Sequence, residues 1–78
     1  MNNITRKKGS EMKIVSARIT PNFIAIPEVF VTLEDGNEVL LFDYYPDEIS
    51  FIASEFIGLT VEEGRRLKFD KDVAYLRA

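Results

Sequence analysis

The sequence predicts an α+β fold: a small antiparallel sheet of three or more strands, packed on one face by two short C-terminal helices. Three observations carry this reading. Residues 12–20, MKIVSARIT, alternate apolar and polar side chains. An Asp-Gly pair, Asp35 and Gly36, sits between two further alternating runs. Beyond Pro46 the apolar residues change to helical spacing. Seventy-eight residues make a single domain with a modest core.

In the first strand, alternation puts Val15, Ala17 and Ile19 on one side and Ile14, Ser16 and Arg18 on the other. Pro21 and Asn22 end it, because proline has no amide to give a ladder and the pair favours a turn. The following FIAIP, residues 23–27, reads as a crossing loop whose Phe23 and Ile26 plug one end of the core. Residues 1–11 are polar, carry Arg6, Lys7 and Lys8, and precede Met12. They read as a flexible arm ahead of a domain spanning residues 12–78.

A type I′ turn at Asp35 and Gly36 pairs Glu34 with Asn37, Thr32 with Val39, Phe30 with Leu41 and Val29 with Phe42. Val29, Val31, Leu33, Leu40, Phe42 and Tyr44 then form the core face. The opposite face carries Phe30, Val39, Leu41 and Tyr45, too apolar to lie open to water, so the first strand's segment, the C-terminus or a second copy is expected to cover it. These four are the candidate residues of an interface.

Asp47 stands where a helix N-cap belongs, ahead of Ile49, Ile52, Ala53, Phe56 and Ile57 at helical spacing, and Gly58 is placed to end that helix. The alternative extends a strand through Ile49 and Phe51 and delays the helix to about Ser54. Thr60 and Glu63 have the spacing of a capping box, which starts a second helix at Val61 running to about Phe69, with Val61 and Leu67 turned inward and Gly64, if it joins them, marking a close approach to a neighbour. The last residues read as a final helical turn capped by Asp72, with Val73 and Leu76 packed inward; a short strand is the alternative.

The chain has no histidine and no cysteine. Thiol and imidazole nucleophiles, thiolate metal sites and disulfides are therefore excluded, and an enzyme is not expected. Asp43, Tyr44 and Glu48 are the candidates for an acidic and aromatic contact site. Asp35, Asn37 and Glu38 lack the ligand spacing of a calcium loop, and the four glycines are ungrouped, so no metal or cofactor is expected. No apolar run is long enough to cross a bilayer, and a cytoplasmic protein is the default.

Between Arg18 and Arg65 there is no lysine or arginine but there are ten acids, while five of the ten basic residues fall at or after Arg65. So acidic a body repels a phosphate backbone, and nucleic acid is disfavoured as a partner. Two functional expectations result. The first is a small non-enzymatic interaction module that forms a homodimer through its apolar sheet face. The second is an acidic inhibitor or decoy that binds a basic partner, such as a nucleic-acid-binding protein.

Overall fold

The computed structural model describes residues 11–21, 23 and 25–77. The arm expected over residues 1–11 lies outside this range, apart from Glu11. The order of elements is β1 (Ile14–Ile19), β2 (Glu28–Leu33), β3 (Glu38–Asp43), a 3-10 turn at Ala53–Phe56, and α1 (Val61–Arg77). The three strands form one antiparallel sheet in the order β1-β2-β3. The expected α+β sheet is present, but only one α-helix follows it among the described residues.

The β2–β3 turn has one more residue than the Asp-Gly reading allowed. Gly36 N–H donates to Leu33 C=O at 2.9 Å, and Leu33 N–H donates to Asn37 C=O at 2.9 Å. The loop is therefore Glu34, Asp35 and Gly36, and only Gly36 takes positive φ, at +90°. Asp35 keeps negative φ and uses its carboxylate to accept from the Asn37 backbone N–H and side-chain amide, at 3.0 and 2.8 Å. A type I′ turn would have required positive φ at Asp35 as well.

The extra loop residue moves the ladder by one place. Thr32 pairs with Glu38, Val31 with Val39 and Phe30 with Leu40, whereas Val29 pairs with Phe42 as expected. Leu41 is the unpaired residue of a β-bulge that restores the expected register. Val39 therefore belongs to the core side, Leu41 is 4% exposed, and Leu40 takes the outward place expected of Leu41. A second bulge falls in β1, where Ile14 pairs with Leu33 and Ser16 with Thr32, leaving Val15 over. Ile14 is buried and Val15 exposed, the reverse of simple alternation.

No helix forms over residues 47–57 beyond the short 3-10 turn. Residues 46–48 make a turn, with the N–H groups of Glu48 and Ile49 donating to Tyr45 C=O. Ile49 and Phe51, two residues apart, are buried, while Ile52 and Ile57 are exposed. β-Branched and aromatic residues form most of this stripe, and they favour extended chain over helix. Phe51 and Phe56 instead join Phe42 and Tyr44 in an aromatic cluster with ring centroids 4.9–6.3 Å apart. The alternative reading, extended at Ile49 and Phe51, is the nearer one. Phe23 is 78% exposed and does not plug the core, although Ile26 is half-buried.

After the 3-10 turn the chain returns to β1. Gly58 N–H donates to Ile14 C=O and Ile14 N–H donates to Leu59 C=O, at 2.9 and 2.7 Å. Helix α1 then starts on the expected capping box: Thr60 N–H donates to Glu63 Oε1 at 2.9 Å, and Glu63 N–H to Thr60 Oγ1 at 3.1 Å. The helix does not stop near Phe69 but continues unbroken to Arg77, so Asp72 lies within it and caps nothing.

Gly64 seats α1 on the sheet, and the close approach expected of it is present. A Cβ placed there would lie 2.9 Å from Leu41 Cδ2, 3.6 Å from Phe56 Cδ1 and 3.7 Å from Ile14 Cδ1. Both buried residues created by the bulges, Ile14 and Leu41, meet the helix at this point. Their burial contributes about 1.5–3 kcal/mol each. Gly64→Ala should gain about 1 kcal/mol of helix propensity and lose about 1–3 kcal/mol by overpacking against Leu41. In a Leu41→Ala background the same substitution should stabilise by about 1 kcal/mol, because only the propensity remains. Urea denaturation of the four proteins checks this, and equal effects of Gly64→Ala in both backgrounds would exclude the contact.

Candidate interaction surface

The residues singled out from sequence do not form one patch. Leu41 is in the core, Val39 packs against it, Phe30 is half-buried on the outer sheet face, and Tyr45 is 62% exposed beyond the end of β3. Asp43, Tyr44 and Glu48 are separated as well. Tyr44 is buried in the aromatic cluster, where burial pushes its phenol above the ordinary pKa of 10.0. Asp43 and Glu48 are exposed. Asp43 stands across from Glu28, so the end of the sheet carries two facing carboxylates.

The outer sheet face has an internal cover that alternation alone does not reveal. Arg18 lies over the Phe30 ring, 4.2 Å from guanidinium carbon to centroid. Its Nε and Nη2 donate to the two carboxylate oxygens of Glu38 at 2.9 and 3.1 Å. That hydrogen bond holds the Glu38 carboxyl below its ordinary value. One arginine on an edge strand thus reaches across the central strand to the other edge and screens its aromatic ring.

Many acids of the base-free stretch also have internal partners. Glu38 binds Arg18, Glu55 binds Lys71, Glu63 caps α1, and Asp35 closes the turn. Among the described residues, no group of three or more Asp or Glu side chains could hold a metal ion. No helix among them is long and apolar enough to cross a membrane.

Helix α1 is tied to the body along one face. Arg65 Nε donates to Leu41 C=O at 3.2 Å and Nη2 to Leu40 C=O at 3.5 Å, both carbonyls lying at the β3 bulge. Lys71 Nζ donates to Ser50 C=O at 2.6 Å and to both Glu55 oxygens at 3.2 and 2.9 Å, and lies 4.2 Å from the Phe51 ring centroid. Beside the last turns of the helix an open groove of about 320 Å³ runs between Tyr45, Glu48 and Ile49 on one wall and Lys68, Asp72, Tyr75 and Leu76 on the other. Lys68 and Asp72 are paired with each other at 2.7 Å.

Continuous with the groove at Leu76, an apolar stripe runs along the outer part of α1. Phe69, Val73 and Leu76 follow at i, i+4 and i+7, roughly 120–180° around the helix from Gly64, with Leu76 at the end of that range nearer the body. Phe69 is 59% exposed and Leu76 80%, while Val73 is half-buried. The inward packing expected of Val73 and Leu76 is not found, because it required a helix broken near Phe69 whose last residues turn towards the core. One continuous helix cannot do this. Its phase is fixed by Gly64 and Lys71, so Val73 stands opposite the sheet and Leu76 reaches only the rim of the groove beside Tyr45 and Ile49. The signal was legible as Phe69, Val73 and Leu76 at helical spacing, provided that the helix was carried through residues 70–72.

Comparisons with protein-family models, with curated proteins and with solved structures returned no match.

The Lys71 clamp predicts a particular acid sensitivity. Partial burial is the largest single influence on Glu55 and pushes its pKa up. The Lys71 hydrogen bond, the Ile52 amide and the Lys71 charge together outweigh it and hold the carboxyl below 4.5. The stabilisation is therefore complete above about pH 4.5 and is lost as pH falls through the lower folded value. Lys71→Met should cost about 1 kcal/mol at neutral pH. Both Lys71→Met and Glu55→Gln should flatten the acid limb of a plot of urea midpoint against pH, and an unchanged limb would mean that the pair is not formed in solution.

Proposed function

We propose that this protein is a small non-enzymatic interaction module that associates with a second copy of itself through the outward face of α1. The observation that carries the reading is the stripe of Phe69, Val73 and Leu76, outside the core because Gly64 seats the opposite side of the helix, and continuous at Leu76 with the groove beside Tyr45. A domain of this size has little core of its own and gains from apolar surface buried between chains. The helix is already ordered by its contacts with the sheet, so pairing does not bear the cost of forming it. The outer sheet face is a poorer candidate, since Arg18 and Glu38 cover its aromatic ring.

The stripe is short, and the expected affinity is correspondingly weak, with Kd on the order of 10 μM to 1 mM. Light scattering and sedimentation equilibrium on the full chain over that range should show mass rising with concentration. Phe69→Lys and Leu76→Lys should each hold the protein as a monomer while leaving the urea midpoint of the dilute protein nearly unchanged, because neither side chain is in the core. A single-chain mass throughout, or association indifferent to both substitutions, would overturn the reading.

The acidic-decoy reading has a narrower basis. It would centre on Glu28, Asp43, Asp47 and Glu48 at one end of the sheet, where Glu28 and Asp43 face each other. Binding of a basic protein that weakens steeply with salt and with Asp43→Lys would favour it over self-association.

A further inference from the structure

We infer that the groove beside the last turns of α1 is a seat for an arginine side chain presented by another protein. Its volume, about 320 Å³, is at the small end of the range for ligand sites, roughly 300–1,000 Å³, and suits one or two side chains rather than a cofactor. One wall is set by a single turn. The N–H groups of Glu48 and Ile49 both donate to Tyr45 C=O, at 3.0 and 3.3 Å, and Ile49 is anchored in the core. Tyr75 and Leu76, on the ordered helix, stand on the facing wall.

The lining selects a cation. Lys68 and Asp72 neutralise each other at 2.7 Å, whereas Glu48 has no partner among the described residues and leaves the groove acidic. Three phenylalanine rings of the molecule carry internal cations: Arg18 lies over Phe30, Lys71 over Phe51 and Arg66 over Phe69. Tyr45 and Tyr75, 62% and 47% exposed, have neither a cation nor another ring against them among the described residues. An entering cation therefore finds two unoccupied rings, a carboxylate beside them, and Ile49 and Leu76 to cover its aliphatic stem. Arginine suits this better than lysine, because its planar guanidinium stacks on a ring and donates two parallel hydrogen bonds to one carboxylate. The chain's own arginines are largely committed: Arg18 to Glu38, Arg65 to the β3 carbonyls and Arg66 to Asp70. No lysine or arginine lies between Arg18 and Arg65, so the wall of Tyr45 and Glu48 has no cation of its own. The inference depends neither on pairing through Phe69 nor on the facing carboxylates of Glu28 and Asp43.

The test is an NMR titration of the full chain, isotope-labelled and dilute, with the peptide acetyl-Leu-Arg-Leu-amide up to about 10 mM. Saturable shifts should appear at Tyr45, Glu48 and Tyr75. The same peptide with citrulline in place of arginine keeps the shape and loses the charge, and should bind about tenfold more weakly. Glu48→Gln and Tyr75→Ala should each weaken binding of the arginine peptide about three- to fivefold. Their urea midpoints should stay nearly unchanged, because both side chains are exposed. Phe69→Ser and Asp43→Asn, outside the groove, should leave binding within about twofold of the unmodified chain. Absence of saturable shifts, equal binding of the two peptides, or shifts centred away from the groove would overturn the inference. Binding that weakens as protein concentration rises and recovers in Arg66→Gln would overturn it as well, by giving the groove to a second copy.

Discussion

The arrangement of this protein depends on the missing side chain at residue 64. At that point a helix, two strand bulges and the 3-10 turn come together, through Leu41, Ile14 and Phe56. A Cβ there would meet the end of the Leu41 side chain at 2.9 Å, so glycine lets α1 approach the sheet without moving that leucine. The phase of the helix follows from the same contact. Once residue 64 faces the sheet, Lys71 two turns later must face it too, and its ammonium reaches Ser50 and Glu55. The same ammonium lies over the Phe51 ring, 4.2 Å from its centroid, and so covers that side of the aromatic cluster.

The bulges and the glycine depend on each other. Strict alternation would have left Ile14 and Leu41 outside, and a helix lying over the remaining core face would have met no side chains at the height that they occupy. The two extra residues, Val15 and Leu41, turn strand edges inward where the helix descends. Arg65 completes the junction by donating to the backbone carbonyls at the β3 bulge, groups that a regular strand edge would leave to water or to another strand.

The strands, the capping box at Thr60 and the close approach at Gly64 were legible because each depends on a local pattern of few residues. The candidate surface was legible only in part. Its placement depends on quantities that alternation does not encode, above all on whether the turn after Leu33 contains two residues or three. Asp-Gly serves either: as the two central residues of a type I′ turn, or as the last two of a three-residue loop in which glycine alone takes positive φ. Leu40 and Leu41 are chemically identical, so nothing in composition distinguishes the inward from the outward one. The helical stripe was hidden for another reason. Asp70, Lys71 and Asp72 resemble a break in a helix, yet all three are polar because one turns to the sheet-side clamp and two pair with Arg66 and Lys68.

The three-residue turn and the bulge at Leu41 act like an opening and a closing shift of frame in the pairing of β2 with β3. Only residues 37–41 are read in the displaced frame; from Phe42 onward the ladder is the one a two-residue turn would have produced. The turn is therefore silent for most of the sheet but decisive for one side chain. A chemistry that forced two residues at the tip would carry Leu41 out from beneath Gly64 to face Phe30, put Leu40 opposite Val31 where Val39 now lies, and bring Glu38 inward opposite Leu33. The hairpin tip and the helix seat, at opposite ends of this displaced frame, are in this sense mechanically geared through a single leucine.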